Sequence, residues 1–254
     1  MLKRLKAWWR QRIISRSTIS NAQWQQVFLS LPLLQRLSHS EQQRLRELAI
    51  LFLHQKKFYG ANGLEVTQEM AQSIALQACL PILNLGIDWY KGWVTIIVYP
   101  GGFVPERVMV DEYGLEHRVR IPVSGEAWEE GPVILSWEDV QAGSALDGSN
   151  VVIHEFVHKL DMLNGKTDGF PPLHDDMEPA HWTDIFTEAY ADFQRKVETG
   201  KITGIHQYAA SKPAEFIAVL SEVFFEQPDI IMREYPEVYE KFRAFFRQDP
   251  LRNS

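Results

Sequence analysis

The chain has 254 residues, 45% of them hydrophobic and 23% charged, the balance of an ordinary globular protein with room for one large domain or two small ones. No run of 18 apolar residues is present to span a membrane, and a net charge of −7 argues against direct nucleic-acid binding. The single cysteine, Cys79, excludes an intrachain disulfide framework and fits a reducing, cytoplasmic setting. Any metal site must then be built from histidine and carboxylate.

Residues 1–16 carry Lys3, Arg4, Lys6, Arg10, Arg12 and Arg16 and no acid; without those six charges the rest of the chain nets −13. The segment lacks the 7–15-residue apolar run of a secretory signal. Leu2, Leu5, Trp8, Trp9, Ile13 and Ile14 interleave with the basic residues at near-helical spacing. Residues 1–22 are therefore expected to form a basic amphipathic segment, free to dock on the acidic body, fray, or touch an anionic surface or partner. A single domain is expected over 23–254.

From there the pattern is helical. Trp24, Val27, Phe28 and Leu31 form a short stripe closed by Pro32. Leu45, Leu48, Ala49, Phe52 and Leu53 form a second, with Ser38 or Ser40 as its cap and His54, Lys56 and Lys57 in its last turn. A turn follows at residues 60–63. Thr67 then caps a helix that Pro81 ends. Residues 93–99, 107–110, 117–123 and 132–137 read as strands, the third alternating polar and apolar as a half-exposed antiparallel strand does. Short strands between two helical regions suggest an α+β fold with one small, mostly antiparallel sheet. No stretch has the glycine spacing of a phosphate-binding loop.

The chemistry begins at His154, Glu155 and His158, an H-E-x-x-H motif. On a helix, residues i and i+4 share a face, so both imidazoles reach one metal ion while the glutamate flanks it as a base. Val151, Val152, Ile153, Phe156, Val157 and Leu160 make this helix apolar nearly all round, and buried polar groups in such a helix need partners. Ser149 or Asn150 is its expected cap, and Asn164 with Gly165 its stop. A turn-rich loop over 166–179 follows and is placed to wall the site. His117, His174 and His206 lack helical ligand spacing and read as solvated histidines.

A catalytic zinc held by protein takes three ligands and an open position. Trp182, Ile185, Phe186, Ala189, Tyr190, Phe193 and Val197 mark one amphipathic helix. A second starts at Ser211 as cap, with Pro213 in its first turn. Spacing leaves Glu188, Asp192, Glu215 and Glu222 all open as third ligand. Asp161 lies roughly 10 Å along the axis from His154, too far for a ligand, but three residues after His158 it is placed to support that histidine.

The run His154-Glu155-Phe156-Val157-His158-Lys159-Leu160-Asp161, followed by Pro213-Ala214-Glu215-Phe216-Ile217-Ala218-Val219-Leu220-Ser221-Glu222-Val223-Phe224-Phe225, resembles the Mlc titration factor A family of bacterial zinc metallopeptidases. Phe245-Phe246-Arg247-Gln248-Asp249-Pro250 is similar to that family's C-terminal motif, and Tyr99-Pro100-Gly101-Gly102-Phe103 and Leu135-Ser136-Trp137-Glu138-Asp139-Val140 also match. The likeness covers nearly the whole chain and is weakest before residue 25. Leu163-Asn164-Gly165 departs from it, since members commonly carry Asp before that Gly. The family's metal core resembles that of anthrax lethal factor, in which a tyrosine precedes the glutamate ligand by seven residues.

The resemblance implies a mostly helical, zincin-like metallopeptidase with its sheet packed on the H-E-x-x-H helix. It implies one Zn2+ held by His154, His158 and Glu215, Tyr208 steadying the oxyanion, and Glu155 as general base toward a metal-activated water. Small peptide substrates and an aminopeptidase specificity follow from it. Strand 133–136, nearest in sequence, is the expected sheet edge for an extended substrate. A second function is implied from another class, a regulatory protein that sequesters a transcriptional repressor of the Mlc type.

Overall fold

A computed structural model describes residues 2–102, 106–110, 116–120, 124–128, 131–143 and 145–253. Helix α1 (Leu2–Ser15) packs on α3 (His39–Gln55) through Ile13 and Ile14. Lys6 and Arg10 each reach Asp88 at 2.7 Å. In α2 (Asn21–Leu29) and α3 the first turns are closed by capping boxes, Ser20 with Gln23 and Ser38 with Glu41, so Ser38 rather than Ser40 is the cap. Thr67 caps α4 (Gln68–Cys79) as expected, accepting from the Met70 N–H.

Lys56 and Lys57 do not finish a helix. Lys56 is buried, and its ammonium donates to the Tyr90 and Trp93 carbonyls at 2.5 and 2.7 Å. Those bonds hold the chain extended into β1 (Lys57–Gly60), which pairs in parallel with β2 (Thr95–Tyr99). Two further strands, β3 (Glu106–Val110) and β4 (Glu116–Arg120), pair antiparallel as a separate ribbon. Residues 121–123 of the expected third strand lie outside the described residues.

The remaining strands, β5 (Gly125–Ala127) and β6 (Val133–Ser136), complete a four-stranded sheet in the order β1-β2-β6-β5. Two of its pairings, β1 with β2 and β2 with β6, are parallel; only β5 with β6 is antiparallel. The sheet is mixed, not mostly antiparallel. The reason is topological: the long connection through α4 returns the chain to β2 in the direction of β1. After the β3–β4 ribbon the chain enters the sheet at β5 in the opposite direction before reversing into β6, which thus runs parallel to β2. Strand β6 is also internal, not an edge, with all four residues buried; among the described residues β5 ends the sheet beside it.

After the short α5 (Trp137–Ala142) comes α6 (Val151–Asp161), the H-E-x-x-H helix, then α7 (Pro179–Glu198), α8 (Pro213–Glu226), α9 (Pro228–Glu234) and α10 (Pro236–Phe246). Helix α6 lies between β5 and β6 on one side and α8 on another. Phe156 anchors it, its ring 5.2–5.6 Å from those of Phe52, Tyr90 and Trp93. Burying such a ring stabilises by roughly 1.5–3 kcal/mol. Behind α8, Phe224, Tyr239, Phe242 and Phe246 form a second aromatic cluster. No helix among the described residues is long and apolar enough to cross a membrane.

Candidate metal centre

Asn150 is the residue that starts α6: its side-chain oxygen accepts from the Ile153 N–H at 3.0 Å. Its amide nitrogen donates to Gln77 Oε1 at 2.9 Å and to Glu226 Oε1 at 3.0 Å. Glu226 Oε2 also accepts from the Gly148 N–H, and Glu222 Oε2 from the Asn150 N–H. Carboxylates near a helix N-terminus suit its positive end. Two glutamates of α8 therefore fix the start of α6, which sets the height of His154 above α8. Burial pushes the Glu226 carboxyl up to about 7, although the Asn150 and Gly148 donors favour its charged form.

One turn further on, His154 Nε2 lies 3.0 Å from Glu215 Oε2 and 3.2 Å from His158 Nε2, and His158 Nε2 lies 3.3 Å from Glu215 Oε2. On the other side of the same imidazole, His154 Nδ1 is 2.7 Å from Glu222 Oε1. A carboxylate only accepts, so Nδ1 carries a proton toward Glu222, and whenever Nε2 is deprotonated its lone pair is turned toward Glu215. Two acceptors, His154 Nε2 and Glu215 Oε2, then face each other at 3.0 Å with His158 Nε2 beside both, an arrangement that calls for a metal cation or a proton between them. A tetrahedral site with bonds of about 2.0–2.1 Å has ligand–ligand edges of about 3.3–3.4 Å, close to the spacing observed. The donor set fits a metal ion, and His154, His158 and Glu215 can hold one.

The same demand for positive charge appears in the ionisation of these groups. Burial pulls the His154 pKa down, but the adjacent Glu215 and Glu222 carboxylates hold it well above the usual histidine value. Glu215 is desolvated too, yet its contacts with His154 and His158 take it far below the ordinary carboxylate range.

Residues 5–247 match the family described as "Glucose-regulated metallo-peptidase M90". The chain belongs to this family. It is 40% identical over 230 residues to "Mlc titration factor A" of Klebsiella pneumoniae (strain 342), an overlap of 90% of this chain and 86% of that protein. A protein of the same name from Yersinia pestis (strain Pestoides F) is 40% identical over 233 residues, covering 91% and 86%. The resemblance read from the motifs is thereby confirmed.

In this M90 chain the H-E-x-x-H glutamate sits under β5. Glu155 is 5% exposed, and a Cβ added to Gly125 would come within 2.6 Å of its Cγ and Oε1. Burial raises the Glu155 pKa, with His154 and His158 opposing. Tyr208 stands beside the candidate ligands on a 3-10 turn (Gln207–Ala210), half exposed, its ring centroid 6.3 Å from that of His154.

Of the other acids open as ligands, Glu222 backs His154. Asp192 is bound instead to Lys196 and the Tyr235 hydroxyl. Glu188 lines a separate 280 Å³ hollow with Asp192 and Glu237. Asp161 does not reach His158 by hydrogen bond; its Oδ2 accepts from the Gly169 N–H at 2.8 Å and holds the 166–179 loop. Gly169, at φ +81, packs so closely on Pro213 that a Cβ would meet the Pro213 carbonyl at 2.9 Å, so the loop does reach the base of α8.

Ser211 does not cap α8, which starts at Pro213 without a side-chain cap. Its hydroxyl donates to the Tyr208 carbonyl at 2.7 Å and closes the tyrosine's own turn. His206 opens that turn, its Nδ1 accepting from the Tyr208 N–H at 3.2 Å. This contact, which its isolated sequence context hid, shapes the turn that carries Tyr208. His174 is not merely solvated, bonding the Phe245 carbonyl at 2.8 Å, and the His117 side chain lies outside the described residues. The roles of Gly125 and Glu222 had no local signal beyond residue type.

Proposed function

We propose that the chain is a regulatory protein of the Mlc titration type that also carries a zinc peptidase centre. The regulatory half rests on the relatives, whose name describes titration of Mlc. They support it more directly than they support any one peptidase chemistry. In this reading the chain binds a transcriptional repressor and withdraws it from DNA.

The catalytic half rests on one observation, the convergence of His154 Nε2, His158 Nε2 and Glu215 Oε2 beside a buried glutamate. One Zn2+ held there supplies Lewis acidity, lowering the pKa of water and polarising a carbonyl. Glu155 takes the proton of the attacking water and passes it to the leaving amine. Tyr208, half exposed beside His154, donates its hydroxyl to the developing oxyanion. An extended peptide pairs with β5, the strand over Glu155, and small aminopeptidase substrates are the expected class.

Metal analysis of freshly purified protein, with hydrolysis of aminoacyl anilides by wild type and Glu155→Gln, tests the catalytic half. Zinc retained with activity lost supports it; protein that neither contains nor takes up a divalent metal refutes it. Capture of a purified Mlc-type repressor by the Glu155→Gln variant supports the regulatory half, and failure of both proteins to bind it refutes that half.

A further inference from the structure

Two stripes run along α1. The inner one holds Lys6, Arg10, Ile13 and Ile14, turned toward Asp88 and the core. The outer one holds Leu5, Trp8 and Trp9, exposed by 55%, 53% and 52%. Leu5, Trp8 and Arg12 follow one another at i, i+3 and i+7, a single face of the helix. The two indoles meet edge to face at 5.4 Å, and the Arg12 guanidinium lies 5.3 Å from the Trp8 ring. Exposed Arg4 and Arg16 flank this face. The apolar patch is therefore presented on a helix that is itself docked, and every charge that this helix carries is positive. No acid occurs in the chain before Glu41.

We propose that this face of α1 is a membrane-surface site that seats the protein on bilayers containing anionic lipid. Tryptophan favours the boundary between headgroups and acyl chains, where its ring is buried and its N–H stays wet. Arginine beside it adds attraction to anionic headgroups. An acidic protein partner is the competing occupant. An acidic protein patch would also complement the charge, but two exposed indoles and a leucine interleaved with arginine on one helix face favour the bilayer, whose boundary takes up rings and guanidinium groups together. The remainder of the chain, at −13, is repelled by the same surface, so α1 also sets which way the protein faces. Three apolar side chains give shallow, reversible binding.

The full chain is tested by flotation with vesicles of phosphatidylcholine alone, or with roughly 30% phosphatidylglycerol, at about 0.1 M salt. Binding to the anionic vesicles is expected to be at least about tenfold stronger and to fall steeply toward about 0.5 M salt. The Trp8→Ala/Trp9→Ala variant is expected to lose about tenfold in binding, along with quenching of its fluorescence by bromolipid, while its thermal melt is unchanged. Arg4→Gln/Arg16→Gln is expected to flatten the salt dependence. Equal or absent binding to the two vesicle types, or binding indifferent to the tryptophan pair, overturns the proposal. So does absent vesicle binding with tryptophan-dependent capture of a purified acidic protein, which would assign the face to a protein partner.

Discussion

The two sides of the candidate centre are built differently. On the ligand side, α6 and α8 are locked by Glu222, Glu226, Asn150 and Gln77, all buried and mutually hydrogen-bonded. On the rim, Tyr208 rides a four-residue turn held by His206 and Ser211 and is half exposed. The opposite wall is the three-residue β5, kept close only because Gly125 has no side chain. Metal ligands need fixed geometry before the ion arrives, and a desolvated network supplies it. A substrate must enter and leave, which the lightly held rim allows. Damage to the two sides should therefore be read by different measurements: metal affinity and stability for the clasp, turnover for the rim.

The largest expected effect is on the rim. Removing one oxyanion donor costs about 10²–10³ in kcat, so in the role proposed for Tyr208, Tyr208→Phe should lower kcat by that factor with metal content and melting temperature unchanged. Loss of metal in this variant would show that the tyrosine belongs to the clasp and would blur the distinction between the two sides. Gly125→Ala comes next. Its Cβ must displace Glu155 or lift β5, and a base misplaced by about 1 Å costs about 10²-fold. Turnover should drop by that order while metal stays bound. Unchanged turnover would mean that β5 shifts without disturbing the glutamate.

How far this division was legible from sequence depends on spacing. His154 and His158 were readable as candidate ligands because one helix carries both imidazoles four residues apart. Their burial followed from the apolar residues between them. Glu215 and Tyr208 needed the family resemblance, since four acids had equal claims until the fold placed Glu222 behind the imidazole and Asp192 on Lys196. Gly125 against Glu155 is a contact between residues thirty apart, and no periodicity encodes it. The sheet was misread for a similar reason. Strand direction depends on where the connections run, and β3 and β4 formed their own ribbon instead of extending the sheet. Buried Lys56 looked like an ordinary last-turn cation because its carbonyl partners lie more than thirty residues away.

A smaller effect tests the clasp directly. Glu222→Gln keeps the size of the side chain but replaces an acceptor-only group beside His154 Nδ1. Weakening a carboxylate–histidine pair of this kind typically costs 10–100-fold in metal affinity. Competition with a chelator should show a rise in the zinc Kd of that order, with turnover of the zinc-saturated protein much less affected. A fall in turnover at saturation with unchanged affinity would place Glu222 on the substrate side and collapse the contrast.

The smallest expected effect concerns Asp161, which ties the end of the clasp helix to the wall loop. It is 2% exposed, and burial raises its pKa to about 6, with the Gly169 N–H pulling the other way. A carboxyl whose folded pKa lies above its unfolded value binds more protons when folded, so it favours folding at low pH. That contribution is complete below the unfolded pKa near 4 and is lost as pH rises through about 6. At neutral pH the buried charge then costs on the order of 1–3 kcal/mol. Asp161→Asn removes the charge while leaving an oxygen for the Gly169 N–H. Urea unfolding of metal-stripped protein should show wild-type stability falling relative to Asp161→Asn from about pH 4 to about pH 6, the gap levelling off above the folded pKa. Stripping the metal keeps pH-dependent metal release out of the comparison, and the titration of the remaining site groups is common to both proteins. Parallel pH profiles for the two proteins would mean that Asp161 is held ionised by the loop, and that the wall is fixed as firmly as the ligands are.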